Sequence, residues 1–297
     1  MSIDIRFAET LDDFRWMEEL QRRVWGDDLI VPLPMLTVVA HNGGVALGAW
    51  DGDHMVGFAF GFIGTDDAAW YAAEAHRPAM TRLKHCSHML AVLPEYRGKG
   101  VGYKLKLAQR EAVMKQGIRL ITWTFDPLES RNAHLNIARL GTVCNTYKRE
   151  VYGEMRDPLN VGLPSDRLQV DWWITSQRVK KRVSGERPGL SLRSFIAANV
   201  PILNPTALNA AALPRMIANI TEPLGTLGLV EIPSDFQALK TADNELAREW
   251  KARTRSIFES AFEAGYIVTD FLHETIEGRA RSFYVLSQGD ARLGGES

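Results

Sequence analysis

Val92-Leu93-Pro94-Glu95-Tyr96-Arg97-Gly98-Lys99-Gly100-Val101-Gly102 is the stretch on which the reading of this chain turns. An apolar run, Cys86 to Leu93, precedes it and Pro94 stops that run, so a strand ends there. Behind it Val101, Leu105, Ala108 and Ala112 recur at three and four residues, predicting a helix over Gly102 to Lys115 that Gly117 closes. Glycines at 98, 100 and 102 let the backbone turn tightly and come close to an anion. The amides of such a loop are also the unpaired donors of a helix start, where the dipole favours negative charge, and Arg97 and Lys99 add full charges. The stretch therefore predicts an anion cradle between strand and helix.

Two other phosphate loops fit less well. A Walker loop ends in Gly-Lys-Ser/Thr, whereas Tyr103 follows Gly102. A dinucleotide fold needs repeated parallel strand-helix units and an acidic residue about twenty positions on, a place that Asp126 fills only loosely.

Outward from the loop, strand and helix signals alternate. Ile3 to Phe7 reads as a strand and Leu11 to Trp25 as an amphipathic helix; after the break at Pro32 and Pro34, Val45 to Trp50 and Met55 to Ile63 form a hairpin about Asp51-Gly52-Asp53. Residues 64–84, with Trp70, Tyr71 and Pro78, read as an irregular insertion. Downstream come a strand at Leu120 to Phe125, a helix at Asn132 to Leu140 closed by Gly141, and strands at Val143 to Tyr147 and Leu168 to Thr175. Arg178 to Pro188, rich in Arg and Lys, reads as a solvated basic linker. Residues 190–227 carry no clear pattern; Leu229 to Ile232, Glu245 to Ala264, Tyr266 to Leu272 and Ser282 to Leu286 then read as strand, helix, strand, strand. That closing order repeats the order from Leu120 to Thr175, without residue-level identity.

The arginine and glycines of the loop resemble the acetyl-CoA signature of the GNAT superfamily, Arg/Gln-x-x-Gly-x-Gly/Ala, at Arg97, Gly100 and Gly102. The family's preceding strand, often ending in Val-x-Pro, is similar to Leu90 to Pro94, and the strand order from Ile3 to Thr175 is similar to the GNAT order. The resemblance implies a mixed α/β (α+β) fold, a central mixed sheet flanked by helices, over residues 1–177, then the linker 178–188 and a smaller C-terminal α/β region, 189–297, similar in element order to half of that fold. It implies an acyl-CoA-dependent N-acyltransferase, with acetyl-CoA or another acyl-CoA as co-substrate and a small-molecule amine, such as an amino acid, as acceptor. Arg97, Gly98, Lys99, Gly100, Val101 and Gly102 would hold the pyrophosphate, and the backbone of Leu90 and Val92 the pantetheine arm.

Strand alternation puts Cys86, His88, Leu90 and Val92 on one side, and His88 is the polar group there suited to act as base. Histidine on this strand is similar to arylalkylamine members of the family; a hydrogen-bonded core histidine is the competing reading. The family's usual acid, a tyrosine four residues before the closing glycine, falls at Ile137, a departure that leaves Tyr147 as a nearby substitute or a packing residue. Asn132 and Asn136 share a helix face by spacing, and Asn132 is expected either to bond the pantetheine or to cap the helix. Trp123 and Asp126 are candidate acceptor contacts; each has a plainer use, Trp123 in the core and Asp126 in starting the Pro127 turn.

Lys+Arg 35 against Asp+Glu 36 leaves a net charge of −1, so no global field draws the chain to nucleic acid or an anionic membrane. Cys86 and Cys144 lack metal-knuckle spacing and read as reduced core thiols; no metal is expected, and with no signal-like start the expectation is a cytoplasmic protein. A C-terminal helix and strand pair can complete the fold within one chain or between two, so a homodimer is among the expectations. Two further functions stay open: succinyl transfer from succinyl-CoA to an amino acid, implied because the two-part layout looks like a bacterial group of GNAT proteins whose relatives include amino-acid N-succinyltransferases, and a non-catalytic acyl-CoA-binding module, favoured by Ile137 and by the unassigned region.

Overall fold

The computed structural model describes residues 3–27, 30–65, 83–153, 161–186, 190–217 and 225–288. Trp70, Tyr71 and Pro78 of the expected insertion, and Pro188, lie outside them. The chain packs as two compact units, Met1–Trp123 and Thr124–Ser297.

The first unit opens with β1 (Asp4–Phe7) and α1 (Leu11–Trp25). Thr10 accepts from the Asp13 amide and Asp13 accepts from the Thr10 amide, a reciprocal cap worth about 1 kcal/mol. Burial pushes the Asp13 carboxyl up, but its bonds from Arg6, Thr10 and Glu9 outweigh that and bring it down to about 2. Next is α2 (Leu33–His41), where sequence reading expects only a break. Pro34 sits in its first turn, where a missing N–H costs nothing, so this proline starts a helix. The strands β2 (Val45–Asp51), β3 (His54–Thr65) and β4 (Leu83–Val92) follow in antiparallel succession, then α3 (Val101–Lys115) and β5 (Leu120–Phe125). The sheet order is β1-β2-β3-β4-β5. Phe14, Met17 and Leu20 of α1 enter the core on one sheet face, and Trp25 meets Phe58 edge-on. Leu105 of α3 packs on the other face, where a Cβ on Gly57 would meet it.

Two features of β4 matter for the site. It runs parallel to β5 in register only at His85–Ile121 and Cys86–Thr122, so its edge toward β5 is free of strand pairing beyond Cys86 among the described residues. Its pairing with β3 also shifts at Phe60/Gly61, where Met89 opposes Phe60 and Ser87 opposes Gly61, leaving His88 as a bulge.

The second unit starts within the end of β5 and continues through α4 (Ser130–Ala133), a π turn over His134–Arg139, β6 (Val143–Lys148) and β7 (Arg167–Trp173). Arg178–Pro188 departs from the linker reading: α5 (Gln177–Val183) occupies much of it. Ser176 caps this helix, Val179 is buried, Arg178 donates to the carbonyls of Gly141 and Thr269, and Arg182 pairs with Asp270. Arg178 and Arg182 are thus spent on local carbonyls and a carboxylate, while Lys180 and Lys181 are exposed.

The stretch without a sequence pattern holds α6 (Leu192–Ala197) and a small hairpin of β8 (Thr206–Leu208) and β9 (Pro214–Met216). Leu192 and Phe195 pack on Leu229, Leu272, Phe283 and Val285. Then come β10 (Leu227–Ile232), α7 (Phe236–Ala242), α8 (Asn244–Glu263), β11 (Ile267–Ile276) and β12 (Arg279–Ser287). Leu246, Trp250, Ile257 and Ala261 of α8 are buried, as their spacing predicts.

The strand order in this unit is β7-β6-β11-β12-β10. From β10 through α8 to β11 and β12, the last strand lies between the first two, and β12 pairs antiparallel with both. From β6 to β7 the pairing is likewise antiparallel, and β6 meets β11 at Cys144–Val268. The element order noticed in the sequence therefore corresponds to an arrangement running outward in both directions from the β6–β11 seam.

Candidate active site

The loop after β4 is built as its sequence suggests. Pro94–Tyr96 makes one 3-10 turn, Arg97 is extended, and Gly98 and Gly100 take φ of +76° and +78°. Only glycine enters that region without strain; a Cβ at either position would meet no atom within 4 Å, so the demand is conformational and the loop opens outward. Gly100 is the N-cap of α3 with no side-chain capping bond, which leaves the helix-start amides facing the loop for a ligand. Arg97 to Gly100 are exposed while Val101 is buried, anchoring the helix beneath. Arg97 Nε donates to Val92 O at 3.1 Å, and Lys99 Nζ stands 5.0 Å from the centre of the Tyr96 ring. Tyr96 in turn donates to Asp51 Oδ2 at 2.8 Å, tying the turn to the β2–β3 hairpin.

The Val92 carbonyl that Arg97 reaches points away from β3, and Leu90, two residues back, shares its backbone direction. Leu90 and Val92 thus present backbone groups on the unpaired edge of β4. These features fit a phosphate-bearing ligand with an extended amide-containing arm: open amides at a helix start, two cationic side chains and a free strand edge.

The bulge corrects the expected alternation of β4. Val92 packs toward α3, since a Cβ on Gly57 would touch both Val92 and Leu105. His88 sits on the other face, its ring 6.5 Å from Phe60 and 6.1 Å from Phe62. One extra residue between Ser87 and Met89 throws His88 out of phase with Leu90 and Val92. His88 keeps an exposed edge, and the apolar rings beside it lower its pKa below the ordinary 6.5 by desolvation.

The other candidates are placed differently. Tyr147 donates to Asp166 Oδ2 at 2.9 Å and stacks on Phe258. Burial and the neighbouring Asp166 carboxylate both raise its pKa, so its proton is committed. Asp166 also accepts from Arg255 Nε and Nη2, each at 2.8 Å, and from the Glu150 amide. The Tyr147 ring thus packs on Phe258 with its hydroxyl held by Asp166, the packing alternative of the sequence reading. Asp126 accepts from the Leu128 amide, starting the Pro127 turn, and pairs with the buried Lys251. Both of its oxygens thus serve the local structure, the turn use that the sequence offers as the plainer reading of Asp126.

Asn132 is exposed but is not the cap, because Glu129 holds that position. Asn136 is buried, so the two asparagines do not share an exposed face; the change to a π turn at His134 breaks the spacing. Ile137 is fully buried. Trp123 has one face occupied by Lys106 Nζ, 3.4 Å from its ring centre.

Sequence reasoning missed the partners of Lys106. His85, Ser87, Lys106 and Gln109 form a buried polar cluster between β4 and α3. Its signal was present: Lys106 and Gln109, three apart, lie on the stripe of α3 that also carries Leu105 and Val113.

Residues 8–141 match the model of the Acetyltransferase (GNAT) family. The chain carries a GNAT acetyltransferase domain. Moving an acyl group from acyl-CoA to an amine nitrogen is the chemistry of that family, and acyl-CoA is the co-substrate that the loop and strand edge fit. Solved structures similar to this chain include the ribosomal-protein-S18-alanine N-acetyltransferase from Escherichia coli, with 15% identity, a TM-score of 0.43, and coverage of 59% of this chain and 96% of that one. A putative acetyltransferase from Salmonella typhimurium with its cofactor acetyl-CoA gives 17%, 0.42, 59% and 95%. Arabidopsis thaliana NAA60 in complex with acetyl-CoA gives 14%, 0.46, 58% and 99%. No curated protein sequence matches the chain significantly. Among the described residues the chain has no group of three or more His, Cys, Asp or Glu placed to hold a metal and no helix long and apolar enough to cross a membrane.

Proposed function

We propose that this GNAT chain transfers an acyl group, acetyl by default, from acyl-CoA to the amine of a small molecule such as an amino acid. One observation carries the reading. Gly98 and Gly100 are both left-handed in an exposed loop that ends at an uncapped helix start, directly after a strand whose edge is unpaired. On this reading Arg97 to Gly102 hold the pyrophosphate, and the backbone of Leu90 and Val92 bonds the amides of the arm.

The acceptor nitrogen attacks the thioester carbonyl carbon, the C–S bond breaks, and the sulfur leaves as the CoA thiol. An ammonium with pKa near 10.4 is neutral in about one molecule in 10³ at pH 7, a cost of roughly 4–5 kcal/mol, so a base is valuable. His88 takes that proton, directly or through a water. Its lowered pKa keeps the imidazole neutral near pH 7 and able to accept. The acceptor nitrogen's proton need not reach Tyr147, and thiol departure proceeds without a phenol from the π-turn segment. Two free cysteines, Cys86 and Cys144, suit a cytoplasmic setting.

The test is thiol release from acetyl-CoA and succinyl-CoA across a panel of amines and amino acids, with calorimetry of CoA binding beside it. His88→Ala should lower kcat about 100-fold and remove the acid limb of the pH–rate profile, which lies below pH 6.5 in the wild type. An unchanged profile removes His88 from the mechanism. Binding of CoA with no thiol release for any amine replaces the enzyme with a binding module.

A further inference from the structure

Lys106 lies in the second turn of α3, one turn past the glycine loop, and is 1% exposed. Its Nζ donates to Ser87 Oγ at 2.8 Å and to Gln109 Oε1 at 3.0 Å, and stands over the Trp123 ring at 3.4 Å. Ser87 Oγ donates to the same Gln109 Oε1 at 2.9 Å. Gln109 Nε2 reaches His85 Nε2 at 3.3 Å, which makes that nitrogen the acceptor and leaves the proton on Nδ1. An ammonium offers three donors and no acceptor; two oxygens and an indole face are three acceptors. The partners suit the charged amine, while burial pulls its pKa down.

The position of the cluster gives it meaning. His85–Ile121 and Cys86–Thr122 are the registered pairs of β4 and β5, and Ser87 and Trp123 are the next residue on each strand. Lys106 therefore bridges the two residues that follow the last registered β4–β5 pair, Ser87 on one strand and Trp123 on the other. Ser87 also directly precedes the bulge residue His88. Gly61, opposite Ser87, has no room for a side chain: a Cβ would lie 2.4 Å from His85 Nε2 and 2.6 Å from the Cys86 carbonyl. The bulge is thus packed tightly from β3 and held from α3.

We propose that Lys106 is a positioning residue for acyl transfer: by joining Ser87 of β4 to Trp123 of β5 where their pairing stops, it fixes the bulge that presents His88. The inference rests on His88 acting as the base. It makes α3 serve two tasks, its first turn binding the co-substrate and its second setting the geometry of the proton acceptor.

Lys106→Met keeps the length of the side chain and removes the donors; Ser87→Ala is the milder companion. In the full chain we expect Lys106→Met to lower kcat by about 10- to 100-fold, the range that a misplacement near 1 Å produces, with KM for acyl-CoA within about threefold of wild type. A loosened bulge lets more water reach the side of His88 that faces Phe60 and Phe62, so the acid limb of the pH–rate profile should move up toward 6.5. Ser87→Ala should shift both readings the same way by less. Wild-type kcat and an unmoved acid limb in both variants overturn the proposal, as does a fall in kcat that only follows the folded fraction. Should Lys106→Met not fold, Ser87→Ala decides by the same two readings. Failure of the wild type to release thiol with any amine is a separate result, which removes the acyltransferase reading and this inference with it.

Discussion

The loop at Arg97–Gly102 and the carboxylates Asp126 and Asp166 are all strongly polar, yet they are opposite kinds of feature. The loop is exposed and its key groups are backbone amides that nothing in the helix itself satisfies. The carboxylates are saturated: Asp166 takes two bonds from Arg255, one from Tyr147 and one from the Glu150 amide, and Asp126 is divided between a turn amide and Lys251. A polar residue marks a site only when some of its bonding capacity is left over. By that measure the loop can receive a ligand and the carboxylates hold the second unit together.

Substitutions on the two sides of this contrast should separate cleanly. Asp166→Ala leaves Arg255 and Tyr147 without their shared acceptor, and we expect a loss of about 3 kcal/mol in urea unfolding with KM for acyl-CoA unchanged. Gly100→Val forces a β-branched residue to φ near +78° in the exposed loop. The loop relaxes away from the ligand-holding conformation to escape a strain of roughly 1–2 kcal/mol, which should raise KM for acyl-CoA about tenfold or more and lower stability by no more than about that strain, less than Asp166→Ala does. A Gly100→Val chain that binds CoA normally would break the contrast.

Acid sensitivity sharpens it further. Burial, then the nearby Lys106, lowers the His85 pKa to about 3, so between pH 6.5 and 3 the unfolded chain binds a proton that the folded chain refuses. The stability from keeping His85 neutral is complete above pH 6.5 and declines as pH falls, by up to about 1.4 kcal/mol per unit. His85→Gln should flatten that part of the dependence in urea unfolding between pH 7 and 5. Smallest of all, Tyr147→Phe should cost about 1 kcal/mol of stability and change kcat less than twofold, because the phenol donates only to Asp166. A large fall in kcat would return Tyr147 to the candidates for acid.

The fold was legible where local chemistry and packing agree. Leu11–Trp25 is a helix to the residue, and Leu120–Phe125 a strand to the residue, because each carries its own period and punctuation. The glycine loop was legible for the same reason. Less readable were features decided by a neighbour or by one inserted residue. The bulge at His88 follows from crowding about Gly61, which alternation along β4 alone cannot reveal. Pro32 and Pro34 read as a break, yet Pro34 lies in the first turn of α2. The fates of Asp126 and Tyr147 were set by Lys251 and Asp166, far away in sequence.

The π turn at His134–Arg139 bears on how the missing phenol should be counted. There the Leu140 amide reaches back five residues, to the Leu135 carbonyl, instead of four. A template that steps four positions back from Gly141 arrives at Ile137, but the wider turn carries one more residue than the template allows for, so the equivalent direction falls one place earlier, at Asn136. Neither side chain can give up a proton to a departing thiolate. The vacancy is therefore one of chemistry under either alignment, and whatever protonates the sulfur in this enzyme must come from another strand, from the solvent, or from the amine itself.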